Sequence, residues 1–146
     1  MKIIIKNVAT LGLIGYTFLL AYWMIWGFGR EPRSDYMYNI IPFSTISHFL
    51  QMDRLSGAKI INLAGNIGVF VPFGILIPLI LKRGLIRSWI LFLSGILILE
   101  TTQLLTRRGS FDVDDFILNS VGFLIGYGLY KAVNYRELPD QLLPIQ

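Results

Sequence analysis

The chain has no cysteine and only one histidine among its 146 residues. The lack of cysteine excludes disulfide bonds, a thiolate nucleophile and a zinc site built on thiolates, and a single histidine excludes a multi-histidine metal cage. Charge is also scarce, at 15% of residues, whereas hydrophobic residues make up 54% and the mean hydropathy is +0.61. Soluble domains carry roughly 25% charged residues. The composition therefore excludes an ordinary soluble globule and a disordered chain, and it predicts a membrane protein.

Four long stretches of the chain carry almost no charge. Three of them reach the roughly 20 apolar residues that a helix needs to cross the hydrocarbon core. The fourth is shorter, but the long side chain of Lys131 can reach the interface and so extend it. We predict an all-α integral membrane protein, a single domain over residues 1–146, whose four transmembrane helices lie at about 7–29, 60–81, 87–105 and 115–133. A loosely ordered tail is predicted at 135–146.

Basic residues near the predicted helix ends indicate the orientation of the chain in the membrane. The first stretch begins with Lys2 and Lys6 as a signal peptide does, but its apolar core is longer than the roughly 7–15 residues of such a peptide. We therefore expect a retained helix. The tight connection at 82–87 holds three basic residues, and basic residues in short loops favour the cytoplasmic side. Both termini are thus predicted in the cytoplasm, with loops 30–59 and 106–114 outside.

Polar residues recur near the helix ends that this topology places at the outer face. Within each helix they are spaced three or four residues apart, so they share one face. A carboxylate inside hydrocarbon costs at least a few kcal/mol, so Glu100 is expected to point into the bundle and to meet a polar partner. The geometry predicts a polar pocket just below the outer surface, with walls formed by Asn62, Asn66, Glu100, Gln103, Asp112, Asp115 and Asn119.

Simpler interpretations exist for the individual polar residues. Amide side chains in membrane bundles often only join helices by hydrogen bonds. Glu100 could form a structural ion pair with Arg107 or Arg108. The acidic run at 112–115 could be a solvated helix start, because acidic residues there interact favourably with the helix dipole, and this interpretation suits Asp114 best. The convergence of five or more polar residues from three helices nevertheless favours a pocket.

Other features predict local structure around that pocket. Gly122 and Gly126 are spaced for close helix approach, and the second helix contains two prolines, either of which can kink it. In loop 30–59, Ser44 or Thr45 is a suitable N-cap. A short amphipathic helix is predicted after the cap, lying on the outer membrane surface and covering the pocket. A plain connector is the alternative.

The order and spacing of these residues resemble the VanZ-like family over residues 39–130. Four segments carry the resemblance. The first contains Asn39, Pro42 and Phe43; the second contains Asn62, Gly65, Asn66, Phe70, Pro72 and Gly74; the third contains Glu100 and Gln103; and the fourth contains Arg108, Phe111, Asp112, Asp114, Asp115, Asn119, Gly122, Gly126 and Tyr127. The resemblance adds Asn39 and Arg108 to the predicted binding pocket.

The resemblance implies a small multi-pass protein of the bacterial cell membrane. The family's founding type is associated with resistance to the glycopeptide antibiotic teicoplanin, whereas the family's biochemical activity is unsettled. We expect a cell-envelope protein whose outer-leaflet pocket binds a membrane lipid head group, a lipid-linked cell-wall precursor or the antibiotic itself. A nucleic-acid partner is not expected, because the positive charge lies beside membrane helices, where it sets topology and meets anionic lipid.

Two other functions stay open at this point. One is an intramembrane enzyme acting on a lipid-linked or peptidoglycan substrate, with Glu100 as the acid and Asp112 or Asp115 as the base. We predict no metal site and no cofactor, although these carboxylates could bind Mg²⁺ together with a substrate phosphate. The other is a small transporter that uses Glu100 as a proton relay.

Overall fold

Helices make up most of the protein in the structure, a computed structural model that describes residues 2–51 and 64–136. Five helices and two short strands are bounded there, and residues 64–68 are also helical. In chain order they are α1 (Lys2–Ile25), β1 (Met37–Asn39), α2 (Ser44–Gln51), α3 (Val71–Leu81), α4 (Leu85–Thr106), β2 (Ser110–Asp112) and α5 (Val113–Arg136).

Four helical segments of the described residues are long and apolar enough to cross a membrane: Ile3–Ile25, Ala64–Leu81, Leu85–Thr106 and Val113–Asn134. The prediction of a four-helix membrane protein is thereby confirmed. The first helix ends at Ile25 rather than near 29, since a 3₁₀ turn follows at Gly27–Gly29 and Gly29 takes a left-handed φ of 69°. The start of the predicted second helix and residues 137–146 of the predicted tail lie outside the described residues.

The second membrane segment is interrupted rather than continuous. Residues 64–68 are helical, a turn follows at 69–70, and α3 begins at Val71. Pro72 has no N–H group, so it cannot make the helical hydrogen bond to the carbonyl group four residues earlier. The hydroxyl of Tyr16, on α1, donates to the carbonyl oxygen of Val69 at 2.8 Å. A side chain of a neighbouring helix thus satisfies a backbone group at the break, as a membrane interior requires.

Close glycine contacts join α5 to this interrupted segment. A Cβ atom added at Gly122 would lie 2.1 Å from the carbonyl oxygen of Ile67, and one added at Gly126 would lie 2.0 Å from that of Val71. Only glycine permits helix backbones to approach so closely. The prediction that Gly122 and Gly126 allow close helix approach is therefore confirmed, and the helices in contact belong to the same molecule. Beside it, the stacked rings of Phe92 and Phe123 belong to the hydrophobic core, with centroids 4.8 Å apart.

The two strands join loops that are far apart in the sequence. β1 and β2 pair in parallel, and the register places Asn39 opposite Asp112. This pairing holds the loop that follows α1 against the start of α5. It was not predicted from the sequence.

Candidate functional site: a polar cavity at one end of the helix bundle

A cavity of about 1040 Å³ opens among the end of α1, the residues before the helix break, the last turns of α4 and the start of α5. Seven of the nine residues predicted for the binding pocket line it: Asn66, Glu100, Gln103, Arg108, Asp112, Asp115 and Asn119. Asn39 contacts the cavity wall through Asp112, and Asn62 lies outside the described residues.

Two buried acceptor atoms in the cavity wall have no hydrogen-bond partner in the described part of the chain. Glu100 is 1% exposed and Asn119 is 2% exposed. The Oε2 atom of Glu100 and the Oδ1 atom of Asn119 are both unpartnered. A buried polar atom without a partner costs roughly 1–3 kcal/mol, and such atoms in native proteins have a specific reason, such as a bound water or ion or a catalytic role. Their position beside a cavity gives this wall the capacity to accept hydrogen bonds.

Asp115 faces the same space as Glu100. The side-chain amide of Asn66, just before the helix break, donates a hydrogen bond to Asp115 Oδ1 at 3.4 Å. The two carboxylates are near enough to act on each other electrostatically, and the guanidinium of Arg30 acts on both. The cavity therefore combines buried carboxyl groups with the guanidinium group of Arg30. Arg30 was not among the predicted site residues.

Two arginines cross-link the loops beside the cavity. Arg30 Nη1 donates to the carbonyl oxygen of Arg108 at 3.3 Å, and Arg108 Nη1 donates to that of Arg30 at 3.0 Å. Arg107 donates to the carbonyl oxygen of Ser34. In the described part of the chain, the alternative ion pair between Glu100 and Arg107 or Arg108 is thus not formed. These bonds hold the segment after α1 to the connection between α4 and β2.

Gln103 has a structural role inside the cavity wall. Its Nε2 atom donates to the carbonyl oxygen of Met24 at 2.6 Å and so ties α4 to the end of α1. Gly109 makes room for this arrangement, because a Cβ there would lie 3.0 Å from that nitrogen and 3.1 Å from Arg30 Nη1. The simpler interpretation of a helix-joining amide therefore fits Gln103.

Asp112 is fully engaged in holding the local structure. Its Oδ1 atom accepts hydrogen bonds from the backbone N–H of Asp114 at 2.9 Å and from the amide of Asn39 at 3.0 Å. Its Oδ2 atom accepts from the hydroxyl of Thr45. The first of these bonds caps the N-terminus of α5, as an aspartate at that position commonly does. The carboxylate thus fastens β1, α2 and α5 together.

Asp114 corrects two expectations. Its side chain is 0% exposed, so a solvated helix start is wrong for this residue. Its carboxylate accepts hydrogen bonds from the backbone N–H groups of Phe43 and Ile46. The start of α2 is therefore capped from α5 rather than by Ser44 or Thr45. The carboxylate also stabilises Phe43 in its left-handed conformation, at φ 63°. The placement of α2 on the membrane surface stays a prediction.

Sequence reasoning missed Arg30, although a signal for it existed. Arg30 is the first charged residue after a long charge-free stretch, so it had to lie at the end of the bundle where the polar residues gather. As for metal ions, the described residues contain no group of three His, Asp or Glu side chains placed to hold one.

Comparisons with known proteins agree on the affiliation of the chain. A comparison with protein families matches residues 8–134 to VanZ/LLP1. Among curated proteins, the chain is similar to Protein VanZ of Enterococcus faecium, with 29% identity over 126 residues, which cover 83% of this chain and 70% of that protein. No solved structure matches the chain. The matched region contains every described residue of the cavity wall, and the chain belongs to the VanZ/LLP1 family.

Proposed function

We propose that this protein resides in the bacterial cell membrane, binds a polar envelope ligand in the cavity on the extracytoplasmic side, and lowers susceptibility to glycopeptide antibiotics of the teicoplanin type. The ligand is a lipid head group, a lipid-linked wall precursor or the antibiotic. The observation that carries the proposal is the pair of unpartnered acceptors, on Glu100 and Asn119, buried in the wall of a large cavity. An otherwise apolar bundle gains nothing in stability from such groups.

The charge distribution supports the extracytoplasmic placement. Glu100 lies near the C-terminal end of α4, whereas the basic connection, with Lys82, Arg83 and Arg87, lies at its N-terminal end. Short basic loops favour the cytoplasm. The cavity then opens toward the cell surface, where wall precursors and glycopeptides meet the membrane.

The apolar part of the lining supports a ligand that is anchored in the membrane. Leu20, Trp23 and Met24 of α1 border the cavity. Trp23 is also 42% exposed and adjoins the outward-facing side of α1, where Phe18 is 73% exposed. A ligand with a polar head and an apolar tail can therefore place the head in the cavity and the tail along α1.

Antibiotic susceptibility in a host that expresses variants tests the proposal. Glu100→Gln, Asn66→Ala and Asp115→Asn each change a polar group of the cavity, and we expect each to lose protection against teicoplanin. Ser94→Ala is the matched control, because Ser94 is exposed on the same helix as Glu100 and bonds only within that helix. If the three cavity variants protect as well as the parent at equal protein levels, the cavity has no part in resistance.

An intramembrane enzyme is the second candidate. Glu100 and Asp115 border one cavity, so one carboxyl group could donate a proton while the other accepts one. Asp112 is less suited to be the base, because its oxygens already accept three hydrogen bonds. Incubation of the purified protein with envelope lipids, with and without Mg²⁺, followed by mass spectrometry, distinguishes this candidate: a new product supports it and unchanged lipids oppose it.

Transport has less support from the helices. The sequence of α3, VPFGILIPLIL, contains no charged or amide side chain that could continue a polar path away from the cavity. Proteoliposomes loaded with a pH-sensitive dye test this alternative, and an unchanged internal pH opposes it.

A further inference from the structure

We infer that the deep part of the cavity receives a primary ammonium group, that of an ethanolamine-type phospholipid head group, and that the phosphate of the same head group lies beside Arg30. This inference rests on the proposed ligand-binding function and specifies the chemical class of the ligand. It follows from the kinds of hydrogen-bonding groups in the wall, their charges and the position of the apolar lining.

The unpartnered buried atoms of the cavity wall are hydrogen-bond acceptors rather than donors among the described residues. In residues 2–51 and 64–136, both buried side-chain atoms that have no partner are oxygens, on Glu100 and Asn119. Asp115 adds a carboxylate whose partner, the Asn66 amide, is 3.4 Å away. A primary ammonium group has three N–H donors and no acceptor. Such a group can therefore donate hydrogen bonds to these oxygens, which a phosphate or a carboxylate ion cannot do.

The charges favour the same orientation. Glu100 and Asp115 place two carboxyl groups in the interior, and in their ionised form these groups attract a monocation and repel an anion. Arg30 and Arg33 also line the cavity, and both are exposed. Guanidinium groups bind phosphate oxygens well because their N–H groups form a planar fork. A zwitterionic head group therefore fits the cavity when its ammonium group lies against the inner carboxyl groups and its phosphate lies beside the two arginines.

The apolar lining identifies a lipid as the source of this group. A free amine would need only the polar part of the wall. The cavity instead continues onto Leu20, Trp23 and Met24, and Trp23 borders the exposed side of α1. That surface provides a place for the first carbons of an acyl chain.

Binding to purified full-length protein in detergent micelles tests the inference. The probes are phosphatidylethanolamine, phosphatidylcholine and phosphatidylglycerol with identical short acyl chains, together with tail-free phosphoethanolamine. Phosphatidylcholine keeps the positive charge but has no N–H donor, and phosphatidylglycerol has no cation. We expect phosphatidylethanolamine to bind about tenfold or more tightly than each of the others, as titration calorimetry would measure.

Variants separate the ammonium site from nonspecific lipid association. Glu100→Gln is expected to weaken phosphatidylethanolamine binding about tenfold and to leave phosphatidylcholine binding unchanged, whereas Ser94→Ala is expected to behave as the parent. Asp115→Asn provides a second test if Glu100→Gln fails to fold, as judged by thermal unfolding.

Each remaining outcome overturns part of the reasoning. If phosphatidylcholine or phosphatidylglycerol binds as tightly as phosphatidylethanolamine and still depends on Glu100, the ammonium assignment is wrong, although the cavity does bind ligands. If phosphoethanolamine binds equally well, the source is not a lipid. If folded variants at Glu100 and Asp115 bind every probe as the parent does, the inference fails entirely, and the susceptibility assay decides separately on the proposed function.

Discussion

Replacing Gly126 by alanine tests how α5 holds the interrupted membrane segment. The added Cβ would lie 2.0 Å from the carbonyl oxygen of Val71 and 3.0 Å from the Cα of Gly74. Ordinary contact begins near 3.4 Å, so the helices must separate locally by about 1.4 Å. No change of side-chain rotamer can relieve the contact, because the atoms that meet the Cβ belong to the backbone. Such overpacking typically costs about 1–3 kcal/mol.

Gly128 provides the matched control. It lies on the same helix, and a Cβ added there would meet no atom within 4 Å. Both substitutions gain the same helix propensity, of about 1 kcal/mol for glycine to alanine. The difference between the two variants therefore isolates the contact, and we expect Gly126→Ala to be less stable than Gly128→Ala by about 1–3 kcal/mol.

The assay is reversible unfolding in mixed micelles of increasing SDS content, followed by circular dichroism of the helices. Equal unfolding midpoints for the two variants would refute the reasoning. A double variant sharpens the test: Gly74 and Gly126 face each other, so one separation of the helices relieves both contacts. We expect Gly74→Ala combined with Gly126→Ala to cost less than the sum of the single changes.

Three further predictions concern other parts of the molecule. Asp114→Ala should release the two backbone N–H groups at the start of α2, at a cost of about 2 kcal/mol or more, measured as faster amide hydrogen exchange there. Tyr16→Phe should lower the unfolding free energy by about 1 kcal/mol through loss of the bond to Val69, and an unchanged value would contradict that role. Because the chain has no cysteine, single-cysteine variants report the topology cleanly: Ser34→Cys in whole cells should react with a membrane-impermeant maleimide, and Gly84→Cys should not.

The membrane segments were predictable because charge in hydrocarbon is costly, so the gaps between charges outline the spans. Their ends were less predictable, since helix termination depends on local groups such as Gly29 and Tyr16 rather than on hydropathy. The parallel pairing of 37–39 with 110–112 could not be foreseen. Strands of three residues are too short to show the alternating pattern by which a strand is recognised.

The cavity was predictable for the same energetic reason as the spans. Glu100 and Asn119 had to point away from lipid, and three helices place such residues near one end of the bundle. The individual roles were not predictable. Asp114 was expected to be solvated because that expectation treats α5 as an isolated helix, whereas the start of α2 covers its carboxylate. Arg30 was not predicted as a site residue, because loop residues were not considered for the pocket wall unless the family resemblance included them.

The three carboxylates at the start of α5 have different structural roles. Asp112 fastens the strands and caps its own helix, Asp114 caps the neighbouring one, and Asp115 faces the cavity. Successive residues on a helix are rotated by about 100°. Deleting a single residue here would rotate the remaining side chains of the run by about 100° and break their contacts together, whereas a single substitution removes the contacts of one carboxylate.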